Sequence, residues 1–209
     1  MKLYDFAPAP NSRKVRAVAH EVGVELEYVH IDVLKGESRT PAFLAKNPCG
    51  RVPLLEDGDL LLWESNAIIR YLALKQGSPL VPASAREQAD VDRWLCWQLA
   101  HLGPATGKVA FERVVKKFIG QGAPDQAAID AGTAEFEQCA AVLDGWLEGK
   151  EYVTGRLSLA DFALAAHLYN TPTYGLDLAP YRRVSAWLER MLARSSMKRA
   201  AADAEASMK

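Results

Sequence analysis

The stretch that most constrains this chain runs from Asn47 to Leu72. Two apolar runs, residues 52–55 and 60–63, flank Glu56-Asp57-Gly58-Asp59. Asp-Gly between apolar runs is a strong hairpin signal. The first run is entered through Val52-Pro53, and cis peptide bonds are nearly always X-Pro bonds in tight geometry, so a cis bond is expected here. It would turn the backbone N–H and C=O of Val52 outward, where a peptide-like ligand can pair with them as an added strand does. The second run returns the chain to Glu64-Ser65, which opens a helix with Ile68, Tyr71 and Leu72 on one face. The free N–H groups of that helix start, its dipole and the Ser65 hydroxyl can hold a carboxylate. Glu64 can pair with an amine. The groups together suit a ligand that carries a peptide bond and an α-amino acid head.

The segments around this stretch define the fold class. Residues 2–6 read as a short strand, and Asn11-Ser12 as the cap of a helix with Val15, Val18, Ala19 and Val22 on one face, ended by Gly23. Residues 26–31 read as a buried strand, residues 35–40 as a polar loop, and a short helical piece starts at Pro41. The order is βαβαββα. A Pro/Gly/Ser-rich stretch, residues 76–82, then breaks the pattern. Everything beyond it has helical periodicity: residues 84–118 with a bend at Gly103-Pro104, residues 125–147, a helix from Ser158 and another after Pro180, with fraying from Ala200. The expected architecture is α+β, with one unit over 1–76, a linker over 77–83 and an all-α unit over 84–209.

Composition narrows the function classes. A 49% apolar and 24% charged chain of 209 residues can bury a core in each of two units. The formal net charge of -1 points to neither nucleic acid nor an anionic membrane as partner. No signal peptide and no bilayer-spanning run is read. Three scattered cysteines, Cys49, Cys96 and Cys139, fit neither a disulfide framework nor a zinc site, and His101 and His167 have no second ligand at metal spacing. The expectation is a cytoplasmic protein with free thiols and no metal.

The motif N-P-C-G-R-V-P ending at Pro53, with L-E-D-G-D-L and E-S-N-A-I after it, resembles the ligand-site core of the cytosolic glutathione S-transferase superfamily, its phi-like members in particular. The likeness runs along the whole chain: Trp94-Leu95 with Pro104-Ala105 resembles the first helix of the family's C-terminal domain, and residues 152–161 resemble its folding motif. The folding motif is also readable physically. Ser158 is an N-cap, Asp161 the N3 carboxylate, and Leu157 with Phe162 a hydrophobic staple. The resemblance implies a thioredoxin-like N-terminal domain on a helical C-terminal domain, glutathione as cosubstrate with no other cofactor, and a homodimer. It places glutathione on Val52, Pro53, Glu64 and Ser65, with Arg39 and Arg51 as candidate contacts to its glycine carboxylate.

A bound thiol reacts as its thiolate, and the family supplies a Ser, Tyr or Cys donor in the loop after the first strand. Aligned on Ser12-Arg13-Lys14-Val15, the phi- and delta-type serine falls on Ala9, so the usual hydroxyl is missing. The segment F-A-P-A-P-N resembles the F-A-P-T-P-N of nu-class relatives, in which an Asn amide faces the sulfur. Asn11 is therefore the favoured donor, assisted by Ser12 or a backbone N–H, while Arg13 and Lys14 are assigned to a solvated helix face. The resemblance places Phe111, Val115 and Tyr174, with Ala9, on an apolar cosubstrate pocket between the domains. Cys49 reads as a bystander thiol. Three functions remain open: transfer of glutathione to a small hydrophobic electrophile, glutathione-dependent peroxide or disulfide reduction, and a glutathione-binding module with little catalysis.

Overall fold

The computed structural model describes residues 1–207. The chain divides into two compact units. One comprises Met1–Val81 together with the segment from Ala193 onward, and the other is Pro82–Leu192.

The first unit carries a mixed four-stranded sheet in the order β2-β1-β3-β4, made of β1 Lys2–Asp5, β2 Glu27–His30, β3 Leu54–Asp57 and β4 Leu60–Trp63. Strand β1 pairs parallel to β2 and antiparallel to β3, and β3 pairs antiparallel to β4. Helices α1 Pro10–Glu21, α2 Pro41–Leu44 and α3 Ser65–Lys75 complete the βαβαββα order. The hairpin register sets Asp57 opposite Leu60, which leaves the two-residue turn Gly58-Asp59. Gly58 takes φ 63°, the left-handed conformation that such a turn requires of its first residue. Leu3, Val15, Val18, Leu54, Leu55, Ile68 and Leu72 are all fully buried and form the core of the unit, with the successive residues Leu54 and Leu55 on opposite faces of the sheet.

Three expectations change here. The second strand is not buried: β2 lies at the sheet edge, pairs only with β1, and leaves Glu27, Tyr28 and His30 exposed. An edge strand has a neighbour on one side only, so an apolar run can form it without being enclosed. The C-terminal residues do not fray at Ala200. Helix α11 Ser195–Ser207 continues through it and packs on α1, burying Met197, Ala200 and Ala204. Polar contacts fix that packing: Glu21 accepts from the Ser196 hydroxyl at 2.5 Å and pairs with Arg194, and Asp203 meets His20 at 2.9 Å and Arg16 at 3.5 Å. So α11 belongs to the first unit, not to the helical one. Finally, α1 lies against both α3 and α11, which covers the polar side chains expected in solvent. Arg16 makes a buried two-bond pair with Asp5 at 2.7 and 2.8 Å. Arg13 and Lys14 are buried with it.

The second unit is helical throughout. Residues 85–119 form one continuous helical stretch: α4 Ala85–Trp97, a π-turn Gln98–Leu102, α5 Gly103–Ala110, a second π-turn Phe111–Val115, and α6 Lys116–Ile119. The first π-turn ends just before Gly103-Pro104, the position where a bend is expected from the sequence. Pro104 has no N–H to continue the i→i−4 ladder, so the hydrogen-bond spacing widens there. Helix α7 Gln126–Trp146 is capped by Asp125, which accepts from the N–H of Ala127 at 2.9 Å and Ala128 at 3.3 Å. A Cβ on Gly132 would come within 2.9 Å of Val109 Cγ2, so glycine is what lets α7 lie this close to α5. Helix α8 Leu159–Leu168 is buried along its length and opens with the expected capping box. The Asp161 carboxylate accepts from Ser158 N–H at 2.9 Å, Val153 N–H at 2.9 Å and Trp187 Nε1–H at 3.0 Å. The short α9 Thr171–Tyr174 and the amphipathic α10 Arg182–Leu192 close the unit. Among the described residues no helix is long and apolar enough to cross a membrane.

Candidate functional site

The site is built where three pieces of the first unit converge: the loop before β3, the start of α3 and the start of α1. Asn47, almost wholly buried, shapes the loop from within. Its Nδ2 donates to the Arg51 carbonyl at 2.7 Å and its Oδ1 accepts from Cys49 N–H at 3.0 Å. Arg39 Nη1 donates to the Cys49 carbonyl at 3.3 Å. Gly50, at φ 58°, has no room for a side chain, because a Cβ would meet Arg39 Nη1 at 2.8 Å and the Ser38 carbonyl at 3.0 Å. The loop thus delivers Val52-Pro53, whose peptide bond is cis, to the head of β3. The backbone N–H and C=O of Val52 make no hydrogen bond among the described residues. Arg39 and Arg51 are both exposed beside it.

At the far end of the hairpin, Glu64 takes φ 72°, ψ 107°. It is the one described non-glycine residue with positive φ. Such a conformation costs about 1–3 kcal/mol and persists where the surroundings impose it, commonly at a ligand clamp. It leaves the Glu64 side chain exposed and makes Ser65 the first residue of α3. Ser65 is buried, and its hydroxyl donates to Asn11 Oδ1 at 3.2 Å. The bond ties the first turn of α1 to the first turn of α3.

The start of α1 differs from expectation. The N-cap is Ala9, in extended conformation, and the helix begins at Pro10. Proline suits the first helical position because its missing N–H would be unpaired there anyway and its φ is preset. Asn11 is then a first-turn residue, half-buried, with its side chain committed to Ser65 rather than to a cap. Ser12 is fully buried, and its Oγ accepts from Phe6 N–H at 3.3 Å.

Lys14 and Asn66 are the residues that the sequence reading missed. Lys14 is fully buried, and its ammonium donates to Asn66 Oδ1 at 2.5 Å. Burial pushes Lys14 down to about 7, against the pull of the Glu64 carboxylate. The usable signal was spacing: Asn11 and Lys14 stand at i and i+3, so any reading that puts one in the site puts the other beside it.

The remaining candidates lie in the second unit. Phe111 and Val115 bound the second π-turn; Phe111 is 38% exposed and Val115 half-buried. Tyr174, expected on the pocket, is buried, and its hydroxyl accepts from Asn170 Nδ2 at 3.0 Å. Arg113, in the same π-turn, donates to the carbonyls of Tyr174 at 2.6 Å and Gly175 at 3.0 Å, which ties the turn to α9. Ala9 is half-buried at the head of α1. His167 is taken up by Gln98 at 2.9 Å. Cys49 is exposed on the shaped loop, whereas burial pushes the Cys139 thiol up to about 11.

Residues 1–74 match the family model of the glutathione S-transferase N-terminal domain, and residues 102–195 that of the C-terminal domain. Glutathione S-transferase 3 of Zea mays is 34% identical over 209 residues, covering 97% of this chain and 93% of its own. The crystal structure of glutathione transferase F7 from Populus trichocarpa superposes with a TM-score of 0.90 at 30% identity, over 97% of this chain and 98% of that one. A glutathione S-transferase-I structure bound with lactoylglutathione superposes with a TM-score of 0.87 at 30% identity, over 96% and 98%. The chain belongs to the glutathione S-transferase family.

Proposed function

We propose that the chain is a glutathione transferase that binds glutathione on its first unit and holds the sulfur as thiolate for attack on a small hydrophobic electrophile. The observation that carries this reading is the Ser65–Asn11 hydrogen bond, which joins a carboxylate-binding helix start to the loop where the family places the sulfur donor. In this reading Val52 pairs with the cysteinyl backbone. The α3 N-terminus with Ser65 holds the γ-glutamyl carboxylate, Glu64 meets the amine, and Arg39 or Arg51 meets the glycine carboxylate. Asn11 donates to the sulfur, helped by the positive end of α1. A free thiol has a pKa of about 8.5, and lowering it by two units takes about 2.7 kcal/mol of preferential interaction with the thiolate. One charge-assisted hydrogen bond supplies about 1.5–3 kcal/mol of that. Ser12, buried on Phe6, assists through the shape of the loop.

The family resemblance assigns Phe111, 38% exposed, and the half-buried Val115 to the apolar cosubstrate wall. Positioning and thiolate stabilisation then provide the catalysis, with no covalent enzyme intermediate. The chain acts in the cytoplasm as a homodimer. Leu60, Leu61 and Trp63 of β4 and Leu74 of α3 expose apolar surface that supports such an assembly. A second reading, glutathione-dependent reduction of peroxides or disulfides, is favoured by the A-P-A-P-N loop that brings Asn11 rather than a serine to the site. A panel of an aryl halide, a hydroperoxide and a mixed disulfide, each with glutathione, tests both. Turnover of the aryl halide is the expected result. Turnover of the disulfide or peroxide alone selects the second reading, and activity on none leaves a binding module.

A further inference from the structure

The π-turn Phe111–Val115 lies within a continuous helical stretch. Its hydrogen-bond spacing is far rarer than that of the α-helix, and single π-turns recur at functional sites. Two consecutive charged side chains hold this one. Glu112, which is buried, accepts from the N–H of Asp125, the N-cap of α7, at 2.7 Å and pairs with Lys116 at 2.5 Å. Arg113, half-buried, reaches a different helix: its Nη1 donates to the carbonyls of Tyr174 at 2.6 Å and Gly175 at 3.0 Å, at the end of α9. Carbonyls at a helix end have no partner within the helix, and a cationic side chain can satisfy them. Gly175 makes room for this contact. It takes φ 66°, and a Cβ on it would stand 2.2 Å from Arg113 Nη1. Arg113 and Gly175 are therefore a matched pair. Phe111 and Val115 stand two residues to either side of Arg113, the first exposed and the second half-buried, so burial alone does not fix them.

We propose that Arg113 is a positioning residue for the apolar cosubstrate: by clasping the π-turn to α9 it sets the shape of the wall that Phe111 and Val115 present, and so the size of substituent the protein accepts. This rests on the cosubstrate reading of Phe111 and Val115. Arg113 acts through those two side chains and contacts neither glutathione nor the reacting atoms in this account. Apolar binding grows with the area covered. A loosened wall therefore costs a long substituent more than a short one, and leaves the grip on glutathione itself unchanged.

The test is calorimetric titration of the full chain with S-methylglutathione and with S-hexylglutathione. The two ligands share the glutathione moiety and differ only in their apolar substituent, so the ratio of their Kd values reads the wall without turnover. Wild type should prefer the hexyl ligand by about tenfold or more. Arg113→Met should cut that preference by about fivefold or more while Kd for S-methylglutathione stays within about twofold of wild type. Arg113→Lys keeps a cation that can donate to the same carbonyls, so it should restore part of the preference. Gly175→Ala puts a methyl group where the guanidinium lies, so it should lower the preference in the wild-type background and add nothing to Arg113→Met. Should Arg113→Met fail to fold, Arg113→Lys and Gly175→Ala carry the same comparison. An undiminished preference in these variants, or an equal weakening of both ligands, overturns the role of Arg113 and leaves the glutathione site standing. Equal binding of the two ligands by wild type overturns the wall and the proposal with it. Binding of neither overturns the glutathione reading as well.

Discussion

Removing one hydroxyl, by Ser65→Ala, separates ligand binding from fold in a way that can be sized in advance. In the free protein the hydroxyl donates to Asn11 Oδ1 at 3.2 Å, a neutral bond worth about 0.5–1.5 kcal/mol. Its loss should lower Tm by only about 2–4 °C per kcal/mol in a chain of this size. In the proposed complex the same hydroxyl would serve the ligand's carboxylate, and a bond to a charged group is worth about 1.5–3 kcal/mol. The effect on binding is the difference between the two, about 1–1.5 kcal/mol, so at about 1.4 kcal/mol per decade Kd for S-methylglutathione should rise by about five- to twelvefold. Ser65 is buried, so water cannot easily replace the hydroxyl. Isothermal titration with the variant gives the Kd, and a thermal melt on the same sample gives the cost to the fold. A Kd within about twofold of wild type in a normally folded variant would refute the idea that the start of α3 grips the ligand's carboxylate.

Other perturbations test neighbouring parts. Glu64→Gly relieves the positive φ and removes the amine's partner, so it should stabilise the protein by about 1 kcal/mol while weakening ligand binding about tenfold; melting and titration check the opposed signs. Gly50→Ala puts a Cβ 2.8 Å from Arg39 Nη1 in a left-handed residue, so it should cost about 1–3 kcal/mol and loosen the loop that carries Val52, read as a lower Tm with a higher Kd. Asp161→Ala strands the Val153, Ser158 and Trp187 donors in a buried site, so it should cost about 3 kcal/mol or more in denaturant unfolding.

What could be read in the sequence was what local chemistry decides. The Asp-Gly hairpin, the Ser158–Asp161 capping box and the Pro104 irregularity each follow from the residues at those positions. What could not be read was set by neighbours distant in sequence. Lys14 resembles any surface lysine until α3 and α11 are laid on either side of α1. The residues from Ala200 are poor in apolar bulk, yet small alanines are what allow α11 to pack closely on α1. Residues 26–31 are apolar enough for a central strand, but sheet order, not local composition, put β2 at the edge. The α1 start was misread for a local reason: Asn and Ser drew attention as caps, while Pro10 at the first helical position marked Ala9 as the true boundary.

The claim that this chain holds glutathione as its thiolate through Asn11 is tested most directly by following the ultraviolet thiolate absorbance of bound glutathione against pH. Wild type should titrate about two units below the free thiol's value of about 8.5. Asn11→Ala, having lost one charge-assisted hydrogen bond of about 1.5–3 kcal/mol, should move the titration back up by about 1–2 units and lower kcat/KM about ten- to a hundred-fold. Ser12→Ala, buried away on Phe6, should move it far less. Bound glutathione that titrates like the free thiol, or a Ser12→Ala variant that abolishes the shift while Asn11→Ala keeps it, would contradict the claim.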